Sequence, residues 1–146
     1  VGPLLRRTGV GHRDPLGRRG DRARTSTITA PADPRAVLAD LLDLYDRGTC
    51  EPLPLAVKTS WAYAGARLEG QDAERALDAA RKEWNRDGGG EREDRSHQFA
   101  WGEKPPFDQL VAAAPGDGEA WAGETTRFGA LACRFWTPVR AAEQFS

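Results

Sequence analysis

The chain has 146 residues, of which 39% are hydrophobic and 29% charged, and its net charge is −1. That length fits one domain with a modest core, which argues against a two-domain enzyme and, with this apolar share, against a wholly disordered chain. No apolar run approaches the ~18–20 residues of a membrane span, and the first arginines precede no hydrophobic stretch, so neither anchor nor signal peptide is expected and the chain reads as cytosolic.

The charge is unevenly placed. Residues 1–30 hold Arg6, Arg7, Arg13, Arg18, Arg19, Arg22 and Arg24 against Asp14 and Asp21, a net +5 there and −6 over the rest. Residues 1–27 form a basic arm broken by Gly2-Pro3, Gly11, Asp14-Pro15, Gly17 and Gly20, without helical or strand period, and are predicted irregular or disordered. Arginines among small residues can neutralise phosphates without reading sequence, although the arm lacks the aromatic residues that stacking on single-stranded bases needs. A solvated tail and a nucleic-acid contact both remain open. Thr25–Thr29 has strand propensity, with partners expected from outside the chain.

Residues 28–146 are predicted to be mainly α, a small unit of four to five helices with at most one or two short strands. The first helix opens at Asp33-Pro34 and closes at Gly48, with Val37, Leu38, Leu41, Leu42, Leu44 and Tyr45 as a core-facing stripe. Glu51-Pro52-Leu53-Pro54-Leu55 is an extended connector, since each proline disfavours helix in its predecessor. Thr59 or Ser60 is expected to cap a second helix bearing Trp61, Ala62, Ala64, Ala66 and Leu68, ending near Gly70. A third runs from Asp72 to Asn85 with Ala73, Ala76, Leu77, Ala80 and Trp84 on one face. Gly88-Gly89-Gly90 stops it, and a charged loop follows through Ser96. A short helix is expected over Phe107–Ala114, and a last one from Glu124–Arg127 that Pro138 should kink or end.

Catalytic motifs are missing. Lys58, Lys82 and Lys104 follow Val57, Arg81 and Glu103, so no Walker A glycine-lysine step exists. Ala56, Ala80 and Gly102 stand two residues before them, where a PD-(D/E)xK nuclease needs an acid. There is no GxSxG elbow, and His12 and His97, the only imidazoles, read as solvated. Glu91, Glu93 and Asp94 form a weak candidate cluster for a divalent cation beside His97; a solvated loop is the simpler reading. Cys50 and Cys133 suggest reduced, buried thiols, and the five tryptophans suggest core packing.

Leu41–Gly48, then Glu51-Pro52-Leu53-Pro54-Leu55 and Lys58-Thr59-Ser60-Trp61-Ala62-Tyr63, resemble the C-terminal region of RecC, the gamma subunit of exodeoxyribonuclease V. Trp84 before a glycine-rich turn, Gly90–Asp94, Phe99-Ala100-Trp101-Gly102 and Phe128–Pro138 follow in the same order. The resemblance covers residues 25–146 and leaves 1–24 unaligned. It implies a tail piece of a larger subunit, in a helicase–nuclease complex that processes double-strand DNA ends for recombination. The implied fold is the end of a nuclease-like (PD-(D/E)xK-type) domain without its active site. ATP and Mg belong to the parent complex, with no cofactor in this chain. The implied partners are DNA and the helicase and nuclease subunits, with no membrane. Lys58 and the arm arginines are the candidate DNA contacts. A docking module that never touches DNA, using exposed tryptophans and the Leu53/Leu55 connector, is the alternative.

Overall fold

The structure, a computed structural model, describes residues 14–15 and 25–145. All seven arm arginines and His12 lie outside them. Two short strands, β1 (Asp14–Pro15) and β2 (Thr25–Ile28), come first. Six helices follow: α1 (Pro34–Cys50), α2 (Val57–Leu68), α3 (Ala73–Trp84), α4 (Arg95–Trp101), α5 (Phe107–Val111) and α6 (Arg127–Ala142). A last strand, β3 (Glu143–Phe145), completes the described chain. The fold is mainly helical, as predicted, with one helix more than expected.

The extra helix is α4, in what reads as a charged loop. The carboxylate of Asp94 accepts from the Ser96 backbone N–H at 2.8 Å, which caps its first turn. The strands also exceed the prediction, and the partner of the Thr25–Ile28 strand lies within the chain. Strand β2 pairs antiparallel with β1 (Asp14 opposite Ser26) and with β3 (Ile28 opposite Glu143). This pairing is possible because α6 does not stop at Pro138 but continues to Ala142 and delivers the chain back to β2.

Helices α2 and α3 form an antiparallel hairpin around Gly70, whose φ of +83° suits glycine, and α6 packs across α2. Their shared core holds Tyr63, Ala76, Ala80, Trp84, Phe128 and Ala132. Trp84 is fully buried, its indole N–H donating to the Pro105 carbonyl at 2.9 Å. The α3 stripe is therefore core, as the spacing predicts.

Helix α1 differs. Asp33 caps it through the backbone N–H groups of Arg35 (3.1 Å) and Ala36 (3.0 Å), as expected. Gly48 does not end it; the helix continues to Cys50. Of the predicted stripe only Leu44 is buried, while Leu38, Leu42 and Tyr45 are 57%, 54% and 69% exposed. The physical reason is Arg134 of α6, which pairs with Asp40 and Asp43 at 2.8 and 2.9 Å. Those ion pairs set Asp40 and Asp43 toward α6 beside Val37, Leu41 and Leu44, and Leu38, Leu42 and Tyr45 face outward. Cys50 is likewise exposed rather than buried, whereas Cys133 is buried.

Candidate functional site

A concavity of about 540 Å³ lies where α2, the end of α3, α6 and β3 meet. The Pro52 and Pro54 connector holds the chain extended until Val57, and there α2 begins. Its cap is not Thr59 or Ser60. The Glu91 carboxylate, 33 residues on, accepts from the backbone N–H groups of Lys58 (2.9 Å) and Thr59 (2.8 Å). A negative carboxylate is well placed at a helix N-terminus, and this one ties the loop after the triple glycine to α2. Within that loop Gly90 is required, since a Cβ there would stand 2.5 Å from the Trp84 carbonyl.

Ser60 is instead buried and orients the aromatic wall. Its hydroxyl donates to the Ala56 carbonyl at 2.6 Å and accepts the Trp136 indole N–H at 2.8 Å. Trp61 meets Trp136 edge-on, with ring centroids 4.9 Å apart, and the Arg140 guanidinium lies 4.2 Å over the Trp61 ring. Gly65 makes that approach possible, because a Cβ there would come within 3.0 Å of Arg140. Lys58, exposed, and Arg86 stand at the rim, the latter paired with Glu83 at 3.0 Å, and Glu143 borders the far side. The arrangement combines two indoles in edge-to-face contact with a rim of two cations and two acids, Lys58, Arg86, Glu83 and Glu143.

Two buried ion networks lie elsewhere. Glu119, 1% exposed, receives Arg127 through Nε (2.8 Å) and Nη2 (2.7 Å), together with the Gly116 backbone N–H at 2.8 Å. Arg127 also reaches Glu51. Hydrogen bonding from Arg127, opposed by burial and aided by Gly116, holds the Glu119 carboxyl below the usual glutamate range. The second network centres on Glu124, which accepts from the Tyr63 hydroxyl and from Arg67 Nε (2.6 Å), with Cys133 Sγ at 3.6 Å. Burial, then the Glu124 charge, pushes the Cys133 thiol up to about 12, and burial, then the hydrogen bond to Glu124, raises Tyr63. These carboxylates are saturated by partners that lock the start of α6 to α1 and α2, so their chemistry is structural.

Of the predicted site residues, Lys58 alone among the DNA-contact candidates falls within the described chain, at the pocket rim. Glu91, Glu93 and Asp94 do not converge. Glu91 caps α2, Asp94 caps α4, and Glu93 is exposed. Among the described residues no three His, Cys, Asp or Glu side chains come together as a metal ion requires. His97 is half-buried rather than solvated, its ring 5.5 Å from Trp84 and 5.6 Å from Trp101. Trp84 is buried and the other tryptophans are half-buried, so none stands fully exposed for docking. Sequence reasoning missed Glu119, Glu124 and the pairing of Trp61 with Trp136. The only local signal was an acid in a glycine-rich loop before α6.

Among the described residues no helix is long and apolar enough to cross a membrane. Residues 9–68 match the family model of the RecC C-terminal domain, so the likeness begins earlier than residue 25. The chain is 50% identical over 115 residues to the RecBCD enzyme subunit RecC of Mycobacterium tuberculosis (strain H37Rv), covering 77% of this chain and 10% of that protein. It is 41% identical over 126 residues to the RecBCD enzyme subunit RecC of Mycolicibacterium smegmatis, covering 86% of this chain and 11% of the relative. The chain thus spans about a tenth of the length of the curated relatives it matches. No solved structure matches it, so the nuclease-like architecture stays an implication of the resemblance.

Proposed function

We propose, from the premise that the chain carries a RecC C-terminal region, that it is a non-catalytic part of a helicase–nuclease assembly acting on double-strand DNA ends in recombinational repair. Its contribution is to bind and guide DNA. The observation that carries this reading is the 50% identity over 115 residues to a RecBCD subunit. The missing Walker A and PD-(D/E)xK motifs agree with motors and nuclease, and hence ATP and Mg, residing on partner subunits. The candidate phosphate contacts are the seven arm arginines and Lys58.

The test is DNA binding by the 146-residue chain as salt rises. If most of those cations each neutralise a phosphate, affinity falls by about a thousandfold or more between 50 and 200 mM salt. No binding at low salt would remove direct DNA contact. A specific observation supports a second reading, docking without DNA contact: Leu38, Leu42 and Tyr45 stand exposed on one side of α1. Under it, arginine-to-alanine changes in the arm leave co-purification with helicase and nuclease subunits intact, and Leu42→Asp abolishes it.

A further inference from the structure

We infer that the outward side of α1, formed by Leu38, Leu42, Tyr45 and Thr49, docks an apolar helix of the same RecC polypeptide, from the part of the subunit that lies outside this chain in its relatives. The inference rests on the family membership and not on DNA contact; it gives the α1 face an occupant within the subunit, where the second reading above gave it the helicase and nuclease partners. Helix α1 is apolar on two sides. Val37, Leu41 and Leu44 look toward α6, where they line a cavity of about 250 Å³ with Phe135 and Val139. Leu38, Leu42 and Tyr45 look the other way and are more than half exposed. A surface helix keeps one apolar stripe and one charged face, whereas a helix apolar on opposite sides belongs between two layers. Helix α3 is of the first kind, its stripe buried and Glu74, Arg75, Asp78 and Lys82 exposed. Helix α1 is of the second kind: α6 is one layer, and among the described residues nothing covers the other side.

Spacing, charge and length choose the occupant. Leu38, Leu42, Tyr45 and Thr49 stand at i, i+4, i+7 and i+11, the same spacing as Ala73, Leu77, Ala80 and Trp84 of α3, and alternating steps of four and three are what one helix presents to another. The helix and its cap carry Asp33, Asp40, Asp43 and Asp46 against Arg35 and Arg47, so this side repels a phosphate backbone and calls for an apolar cover. The match spans 10% and 11% of the two relatives, which leaves about nine tenths of each polypeptide to fold beside it. An element of that remainder is tethered to α1 through the chain, and its effective concentration exceeds that of a free second copy.

The experiment maps hydroxyl-radical oxidation by mass spectrometry in two proteins: the 146-residue chain, and full-length RecC of Mycolicibacterium smegmatis carrying this chain in place of the region it matches. The two tyrosines serve as internal gauges. In the 146-residue chain Tyr45, 69% exposed, is expected to oxidise freely and Tyr63, 1% exposed, hardly at all. In the grafted subunit Tyr45 oxidation is expected to fall to the Tyr63 level. Leu42→Asp should restore it there, while the same substitution in the 146-residue chain leaves both tyrosines as they were. If the graft is insoluble, the unaltered relative is mapped instead, and protection is expected at the residues that align with Leu38, Leu42 and Tyr45. Equal oxidation of Tyr45 in chain and graft overturns the inference. Protection that appears only when the helicase and nuclease subunits are added also overturns it and returns the face to the second reading. Protection already present in the 146-residue chain overturns it too, and sedimentation then names the cover: a second copy if the mass is doubled, residues 1–24 if it is that of one chain.

Discussion

Helices α1 and α3 are built alike in sequence: each opens on an aspartate cap, and each carries apolar residues at helical spacing. Helix α3 buries that spacing against α2 and the loop before α5, with Ala76, Ala80 and Trp84 wholly inside. Helix α1 turns Leu38, Leu42 and Tyr45 to the outside, because Arg134 draws Asp40 and Asp43 against α6. A period specifies a face; what covers the face depends on groups far away in sequence. In α1, the side toward α6 carries Arg134's ion pairs with Asp40 and Asp43 together with Val37, Leu41 and Leu44, and among the described residues nothing covers Leu38, Leu42 and Tyr45. The outcome leaves a surface that a neighbouring apolar element would gain stability by covering.

The comparison can be broken by substitution. Trp84→Ala on α3 removes the largest fully buried side chain and orphans the Pro105 carbonyl, and is expected to cost about 4 kcal/mol in urea unfolding. Glu119→Ala is expected to cost about 2 kcal/mol, since Arg127 keeps Glu51, and Arg47, which stands 3.6 Å from Glu119, keeps Asp43. The depressed Glu119 carboxyl also sets a pH dependence. Its contribution is complete above the unfolded value near 4.5 and is lost as pH falls through the lower folded value, so the melting temperature of the unaltered chain drops on the acid side more than that of Glu119→Ala. Leu42→Ala on α1 should change stability by less than about 0.5 kcal/mol. A cost there rivalling that of Trp84→Ala would mean that the α1 face is covered in solution and that the two helices are alike after all.

Much of the fold was legible because it is local. The Asp33-Pro34 start, the start of α3 near Asp72, the α3 stripe and the proline-forced connector each depend on residues a few positions apart, and all appear as read. The Gly48 stop failed, because Gly48 stays helical and the helix runs two residues further, to Cys50, before the extended Glu51 ends it. Helix α4 escaped notice because its sequence is charged at the start and its cap, Asp94, reads equally well as a loop acid. The candidate site was less legible. Lys58 stood out as one of three lysines, yet its neighbours at the pocket come from α3, α6 and β3. Glu91 was singled out for a metal and serves a helix terminus 32 residues away, a pairing no spacing rule anticipates.

By itself the sequence determined the helical class, the family likeness and the lack of ATPase and nuclease motifs, because these reside in short-range periods and in fixed spacings between reactive side chains. Only the tertiary structure decided which stripe became core, which acid capped which helix and which two tryptophans met. Those outcomes turn on contacts between residues 32 to 94 positions apart, such as Thr59 with Glu91, Arg67 with Glu124, Ser60 with Trp136 and Asp40 with Arg134. Burial and charge pairing compete there in three dimensions, and the winner is fixed by where the chain has already placed its other charges.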